Sequence, residues 1–221
     1  MSKIRNNMDF IDEFEHSLCE YTNAKYAVCC DCCTNAILIS LYLKMILGEI
    51  SKDDTLIIPS RTYMSVPMTL KLFGFNIKLE EKDWSRFYII DAIDKKVGVV
   101  DSAVNFYENC MNEFFDDNLV CLSFQQKKRL SLGRGGAILT NNEKYYNILK
   151  RLVHDGRNPK IFHGDEVENN PDDILLGFHS YLEPEKAARG IMLLNQPSLL
   201  PPFENIHSRE YPDLSKLEIF K

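Results

Sequence analysis

No apolar run in this 221-residue chain approaches the roughly 18 residues that a membrane-crossing helix needs. The polar start, Met1 to Asn7, has no apolar stretch behind it to make a signal peptide, so a cytoplasmic protein is expected. Positive charge is in short supply too. The 26 Lys and Arg stand against 32 Asp and Glu, and the formal charge of −6 with a pI near 5.4 argues against a nucleic-acid or anionic-membrane surface. The partner expected is a small molecule or another protein. The seven cysteines lack the layout of a disulfide framework, since four of them are crowded into Cys29-Cys30-Asp31-Cys32-Cys33. Cys29/Cys32 and Cys30/Cys33 each have C-x-x-C spacing, but Cys19, Cys110 and Cys121 are scattered and supply no second pair for a zinc site. Packing as small buried residues is the expected role. His16, His154, His163 and His207 likewise form no metal or triad spacing.

What the chain does have is an apolar content of 45%, enough to bury one large domain over residues 1–221. Phe10, Ile11, Phe14, Leu18 and Tyr21 recur at helical spacing behind Asp9. Lys25 to Cys30 reads as a short strand, and Thr34 to Leu47 as a buried helix stopped by Gly48. Thr55 to Pro59 and Asn76 to Glu80 read as strands around an apolar helix that ends at Gly74. Val97 to Ala103 is a further strand, and Asn142 to Leu152 and Pro184 to Leu194 are helices. The polar segment Gly164 to Asp173 is expected on the surface as a mobile loop. Four prolines in Gln196 to Lys221 mark an extended C-terminal tail. Strands alternating with helices predict a three-layer α/β sandwich with a mostly parallel sheet and a ligand site at the strand C-termini.

The chemistry concentrates between Cys121 and Thr140, where Lys127, Lys128 and Arg129 stand between an apolar strand, Leu119 to Phe124, and a second one entered through Gly135-Gly136. An amine drawn inward there has its pKa lowered by desolvation and like charge, and a lysine so tuned is a Schiff-base nucleophile. The bland alternative for such a turn is a basic surface hairpin. The segment S-F-Q-Q-K-K-R-L-S-L-G-R-G-G-A-I resembles the S-F-x-x-x-K-x-L-x-x-G-x-G-G-A-I motif of the DegT/StrS-type sugar aminotransferases, fold type I enzymes that use pyridoxal 5'-phosphate (PLP). The resemblance puts the family's Schiff-base lysine at Lys128.

Further matches follow in the family's order. Y-A-V-C-C-D-C-C-T-N-A-I resembles the phosphate-binding Y-A-V-x-V-x-S-G-T-x-A-L, which assigns Thr34 and Asn35 to the phosphate; Cys32 and Cys33 depart from the usual serine and glycine, and a side chain at Cys33 is expected to crowd the backbone. P-S-R-T-Y-M-S resembles a segment whose aromatic stacks on the cofactor, here Tyr63, although a tyrosine at a helix start is ordinarily core. V-V-D-S-A resembles [IV]-x-D-x-A, whose aspartate pairs with the pyridinium nitrogen, making Asp101 that residue against the alternative of a turn cap. Val104 stands where the family often has glutamine or histidine, and only Glu81 to Lys96 replaces a longer crossover. G-F-H-S-Y resembles G-x-N-x-R, whose asparagine reaches the partner subunit's cofactor, and His179 fills that slot.

The resemblance implies PLP held by Thr34, Asn35 and Ser123 at the phosphate, with Gln125 nearby. It implies a homodimer that passes an amino group from an amino acid such as glutamate to a keto sugar nucleotide. Relatives with histidine in place of the lysine are dehydratases, so Lys128 favours transamination. The family's small C-terminal domain has no counterpart in the chain. A relative reduced to a binding or scaffold role is therefore the alternative.

Overall fold

In the computed structural model, which describes residues 7–161, 165, 167 and 171–220, seven strands form one sheet in the order β1-β7-β6-β5-β4-β2-β3. These are β1 (Tyr26–Cys30), β2 (Thr55–Pro59), β3 (Asn76–Glu80), β4 (Tyr88–Ala92), β5 (Lys95–Asp101), β6 (Leu119–Ser123) and β7 (Gly136–Thr140). Following the pairings across the sheet, β1, β2, β3, β5 and β6 point one way, while β4 and β7 are reversed. The expectation of a mostly parallel sheet is met in strand direction but not in neighbour contacts. Only β5·β6 and β2·β3 are parallel pairs, because each reversed strand is inserted between strands of the majority direction.

The helices α1 (Asn7–Thr22), α2 (Cys33–Ile46), α3 (Ser65–Leu72), α4 (Glu143–Leu152) and α5 (Pro184–Leu194) cover both faces. Alternation along the central strands decides which face each side chain feeds. Leu119 and Cys121 of β6 and Ile138 of β7 join Ile37, Leu41 and Leu149 on the α2 and α4 side. Val120, Leu122, Ala137 and Leu139 join Phe14, Leu18 and Ala187 under α1 and α5. Full burial of each Val, Leu, Ile or Phe among them is worth about 1.5–3 kcal/mol. The helix α5 approaches α1 so closely that a Cβ on Gly190 would lie 2.3 Å from the Phe14 ring. This is the expected three-layer α/β sandwich.

Two regions differ from the sequence reading. The 81–96 stretch is not a plain connection: Tyr88–Ala92 forms β4, which turns at Asp94, in the left-handed region at φ 62°, and pairs back along β5. The 196–221 segment, expected as an extended tail, takes 3-10 turns at Pro197–Leu199, Ser208–Glu210, Leu214–Lys216 and Glu218–Phe220 and buries Leu200, Ser208 and Leu214. It is anchored by Ser208 N donating to Trp84 O at 2.9 Å and Leu214 N to Ser60 O at 2.8 Å. Half of the loop expected over Gly164 to Asp173 lies outside the described residues, as do His163 and the first six residues of the polar start. No described helix is long and apolar enough to cross a membrane.

Candidate active site

Because β1, β2, β5 and β6 share a direction, their C-terminal ends meet on one edge of the sheet. Each is followed by residues that carry chemistry. The first is the junction of β1 with α2. Cys32 is the N-cap of α2, extended at φ −166° and ψ 160°, and its Sγ accepts from Asn35 N at 3.4 Å, a thiol in the role usual for serine or aspartate. Gly136, paired with Cys30, lies directly beneath this turn. A Cβ there would come within 2.6 Å of Cys32 C and Cys33 N, so the glycine is what lets β7 and the turn approach. Cys33 does not crowd the outer side of the turn as expected: its side chain enters the core and its thiol donates to Cys121 O at 3.5 Å. The α2 N-terminus thus presents backbone N–H groups on a fixed turn, the arrangement that receives an anion.

The side chains around that turn are partly engaged. Thr34 Oγ1 and Ser65 Oγ share a hydrogen bond of 2.6 Å. Asn35 Nδ2 donates to Asp31 Oδ1 at 2.8 Å, and the same carboxylate receives the Ser180 hydroxyl at 2.5 Å and an Arg134 nitrogen at 2.8 Å. Ser123, at the end of β6, is buried and accepts from Gln125 N at 3.5 Å. Gln125 spends its side-chain oxygen on Lys127 N at 2.8 Å, which shapes the turn carrying the lysine.

That turn is a long excursion between β6 and β7, closed by Phe124 N donating to Gly135 O and Leu132 N to Phe124 O, each at 2.9 Å. The three consecutive cations separate within it. Lys127 is exposed, and Arg129 reaches Tyr21 Oη at 2.7 Å and Phe106 O at 3.1 Å. Lys128 is half-buried, and burial lowers its pKa while Asp101 and Cys33 oppose the shift. Like charge, the other cause anticipated from the sequence, plays no part, because the neighbouring cations point elsewhere.

Asp101 closes β5 and is 7% exposed. Burial raises its pKa, opposed by a hydrogen bond from Tyr88, one from Ala103 N and the charge of Lys128. Tyr88 Oη donates to Asp101 Oδ2 at 2.7 Å, Ala103 N to Oδ1 at 3.0 Å, and Thr62 Oγ1 lies 2.7 Å from Tyr88 Oη. A buried carboxylate thus interacts with a half-buried amine whose proton is held less tightly than that of an ordinary lysine. Such a pair can hold and release protons next to a carbonyl.

Tyr63 stands just ahead of α3 and is 63% exposed, in contrast to the core role usual for a tyrosine at a helix start. Tyr211 arrives from the C-terminal segment, held by Arg61 donating to its carbonyl at 3.0 Å and by ring contact with Trp84 at 5.4 Å. Burial and the nearby Asp101, Glu210 and Tyr63 push its hydroxyl up to about 12. His179, by contrast, joins none of these residues. It is exposed and its Nδ1 lies 3.0 Å from Asp155 Oδ1. Two surface depressions, about 420 Å³ beside Asp155, Arg157, Val167 and Ile174 and about 250 Å³ beside Ser17, Tyr21 and Leu194, contain none of Lys128, Asp101 and Tyr63.

The family model for DegT/DnrJ/EryC1/StrS aminotransferases matches residues 2–84 and 115–197, well over half of the chain. The chain belongs to this family. PLP is the cofactor of DegT-family aminotransferases. Among solved structures, NtdA from Bacillus subtilis, crystallised with bound PMP, superimposes at a TM-score of 0.63 and 19% identity, over 86% of this chain and 48% of that one. DesV from S. venezuelae gives 0.59 and 18%, over 84% and 57%. The E. coli GDP-4-keto-6-deoxy-D-mannose-3-dehydratase with bound hydrated PLP gives 0.63 and 16%, over 85% and 60%. These likenesses show the fold, and the chain spans about half to three-fifths of those structures. No curated protein matches the chain.

Within this DegT-family chain, the donor set suits PLP. It offers a half-buried amine for an aldehyde, a buried carboxylate for a ring nitrogen, an exposed aromatic for a ring face and a helix N-terminus for a phosphate. Sequence reading missed Tyr88, Thr62, Ser65, Asp31 and Tyr211. The short apolar run Tyr88-Ile89-Ile90 could have signalled β4, and so its first residue. Nothing local marks Tyr211, whose role depends on where the C-terminal segment docks.

Proposed function

We propose that the chain is a PLP-dependent aminotransferase that moves an amino group from an amino acid, with glutamate as the expected donor, to a keto sugar nucleotide. The observation that carries this reading is Lys128, an amine made less basic by burial while it interacts with the buried Asp101. When bound, PLP supplies an electron sink for charge that develops at the substrate carbon. Lys128 Nζ would bind the cofactor aldehyde and afterwards carry the proton to and from that carbon, a task favoured by its lowered pKa. Asp101 would hold the proton on the ring nitrogen, and Tyr63 would cover a ring face. The phosphate would lie at the α2 N-terminus with Thr34, Asn35 and Ser123, with Gln125 shaping the lysine turn. Asn35 would have to exchange its bond to Asp31 for the phosphate.

His179, exposed on the Asp155 side, is available to a second copy of the chain, and a cytoplasmic homodimer is the assembly this reading requires. A monomer in sedimentation at micromolar concentration would count against it.

The test is to add PLP to the purified chain, reduce with borohydride and map the labelled residue. Label on Lys128 that disappears in Lys128→Ala supports the reading. Folded, dimeric protein that takes no label would instead support a chain that has kept the fold for binding alone.

A further inference from the structure

The carboxylate of Asp101 is held by a strand that lies outside the stretches the family model matches. Residues 85–114 fall between the two matched stretches, and within them β4 runs antiparallel to β5 so that Tyr88 is the direct register partner of Asp101. Reversal of the strand puts its first residue, rather than its last, on the catalytic edge of the sheet. Tyr88 is 4% exposed, and its ring is packed against Trp84 at 5.5 Å. Its hydroxyl has a single proton to give. With Oδ2 of Asp101 at 2.7 Å on one side and Thr62 Oγ1 at 2.7 Å on the other, the arrangement that satisfies all three groups has Thr62 donating to Tyr88 and Tyr88 donating to the carboxylate.

We propose that Tyr88 is a positioning residue for Asp101: the Thr62–Tyr88 chain fixes the carboxylate and favours its ionised form, the state in which it can pair with a protonated ring nitrogen. This inference rests on the PLP reading for its use in catalysis, but the holding of Asp101 is a property of the protein without cofactor.

The groups that face Asp101 come from every element around it. Lys128 approaches from the β6–β7 turn, Cys33 from α2, Cys121 from β6 and Tyr211 from the C-terminal segment, with Ala103 N on its own strand's exit. The two thiols are buried and pushed up, so they stay neutral near pH 7. Lys128 is therefore the one charged neighbour among the described residues named here, and Tyr88 the one side chain bonded to the carboxylate. The Tyr88 and Lys128 contributions both favour the ionised form and can be removed separately.

The test uses the cofactor-free protein labelled with ¹³C in its aspartate carboxyl groups, with Asp101→Asn identifying the Asp101 signal. Tyr88→Phe keeps the ring against Trp84 and removes only the donor. It is expected to raise the Asp101 titration midpoint by about one pH unit, a tenfold change in proton affinity. Thr62→Val is expected to move it in the same direction by less, and it decides the matter if Tyr88→Phe does not fold. On PLP-loaded protein, the pH dependence of the bound-cofactor absorbance should shift in Tyr88→Phe alongside the carboxyl midpoint. Folded variants in which Asp101 titrates as in the unmodified protein overturn the proposal and leave Tyr88 a packing residue. Should the unmodified protein take up no PLP while Tyr88→Phe still moves the midpoint, the cofactor reading falls and the holding of Asp101 stands.

Discussion

The family-matched frame and the β4–β5 hairpin contribute to one site by different routes. Lys128, the α2 N-terminus and Tyr63 come from stretches that the family model matches, whereas Asp101, although its V-V-D-S-A resembles a family motif, and its partner Tyr88 belong to residues 85–114, which the model leaves unmatched. The hairpin nevertheless delivers an aspartate to the end of a strand parallel to β6, beside the lysine turn. A sheet edge collects residues by strand direction, so a rebuilt connection can keep a site if its last strand keeps its heading.

The largest effect should come from the frame. Lys128→Ala is expected to abolish borohydride-trapped PLP entirely, as read by mass spectrometry, while leaving the melting temperature nearly unchanged. Gly136→Ala should come next. Its Cβ would strike the Cys32–Cys33 peptide, so we expect a loss of roughly 2–4 kcal/mol in denaturant unfolding. Phosphate affinity should fall with it. An unchanged stability would mean that β7 does not hold the α2 turn in place.

The frame also stores a pH dependence of its own. Burial depresses His154 to about 4, with Nδ1 satisfied by Lys150 O at 2.8 Å. The unfolded chain takes up this proton below about pH 6.5, where the folded one still refuses it. Stability should therefore fall by up to about 3 kcal/mol as pH drops from 6.5 to 4. His154→Gln should flatten that slope in urea unfolding at several pH values.

The smallest effect sharpens the contact between the two regions. Asp101 holds the Lys128 pKa up against burial, so Asp101→Asn should move the pH midpoint of Lys128 modification further down, by a unit or less. No movement would mean that hairpin and frame are electrostatically independent.

Much of this was legible in the chain. The apolar periods located α1, α2, α4 and α5 and most strands within a residue or two, because burial on one face leaves its period in the sequence. Lys128, Asp101, Tyr63 and Thr34 were named from local motifs, and the structure places them at adjoining ends of co-directed strands. Strand direction was not legible. The run from Tyr88 to Ala92 is mainly apolar whichever way it is laid, so its reversal, which turns Tyr88 into Asp101's partner, depends on the tight turn at Asp94 and on pairing with β5.

Composition, helix periods and the identity of the reactive groups were thus determined by the sequence, since each depends on residue type and near neighbours. Tertiary structure alone decided which groups meet. Asn35 turns to Asp31 and Ser180, Cys33 enters the core, and Arg129 swings away while Lys128 stays. His179 pairs with Asp155. These outcomes depend on contacts between residues far apart in the chain, whose donors and acceptors can be counted from the sequence but paired only once the layers have closed.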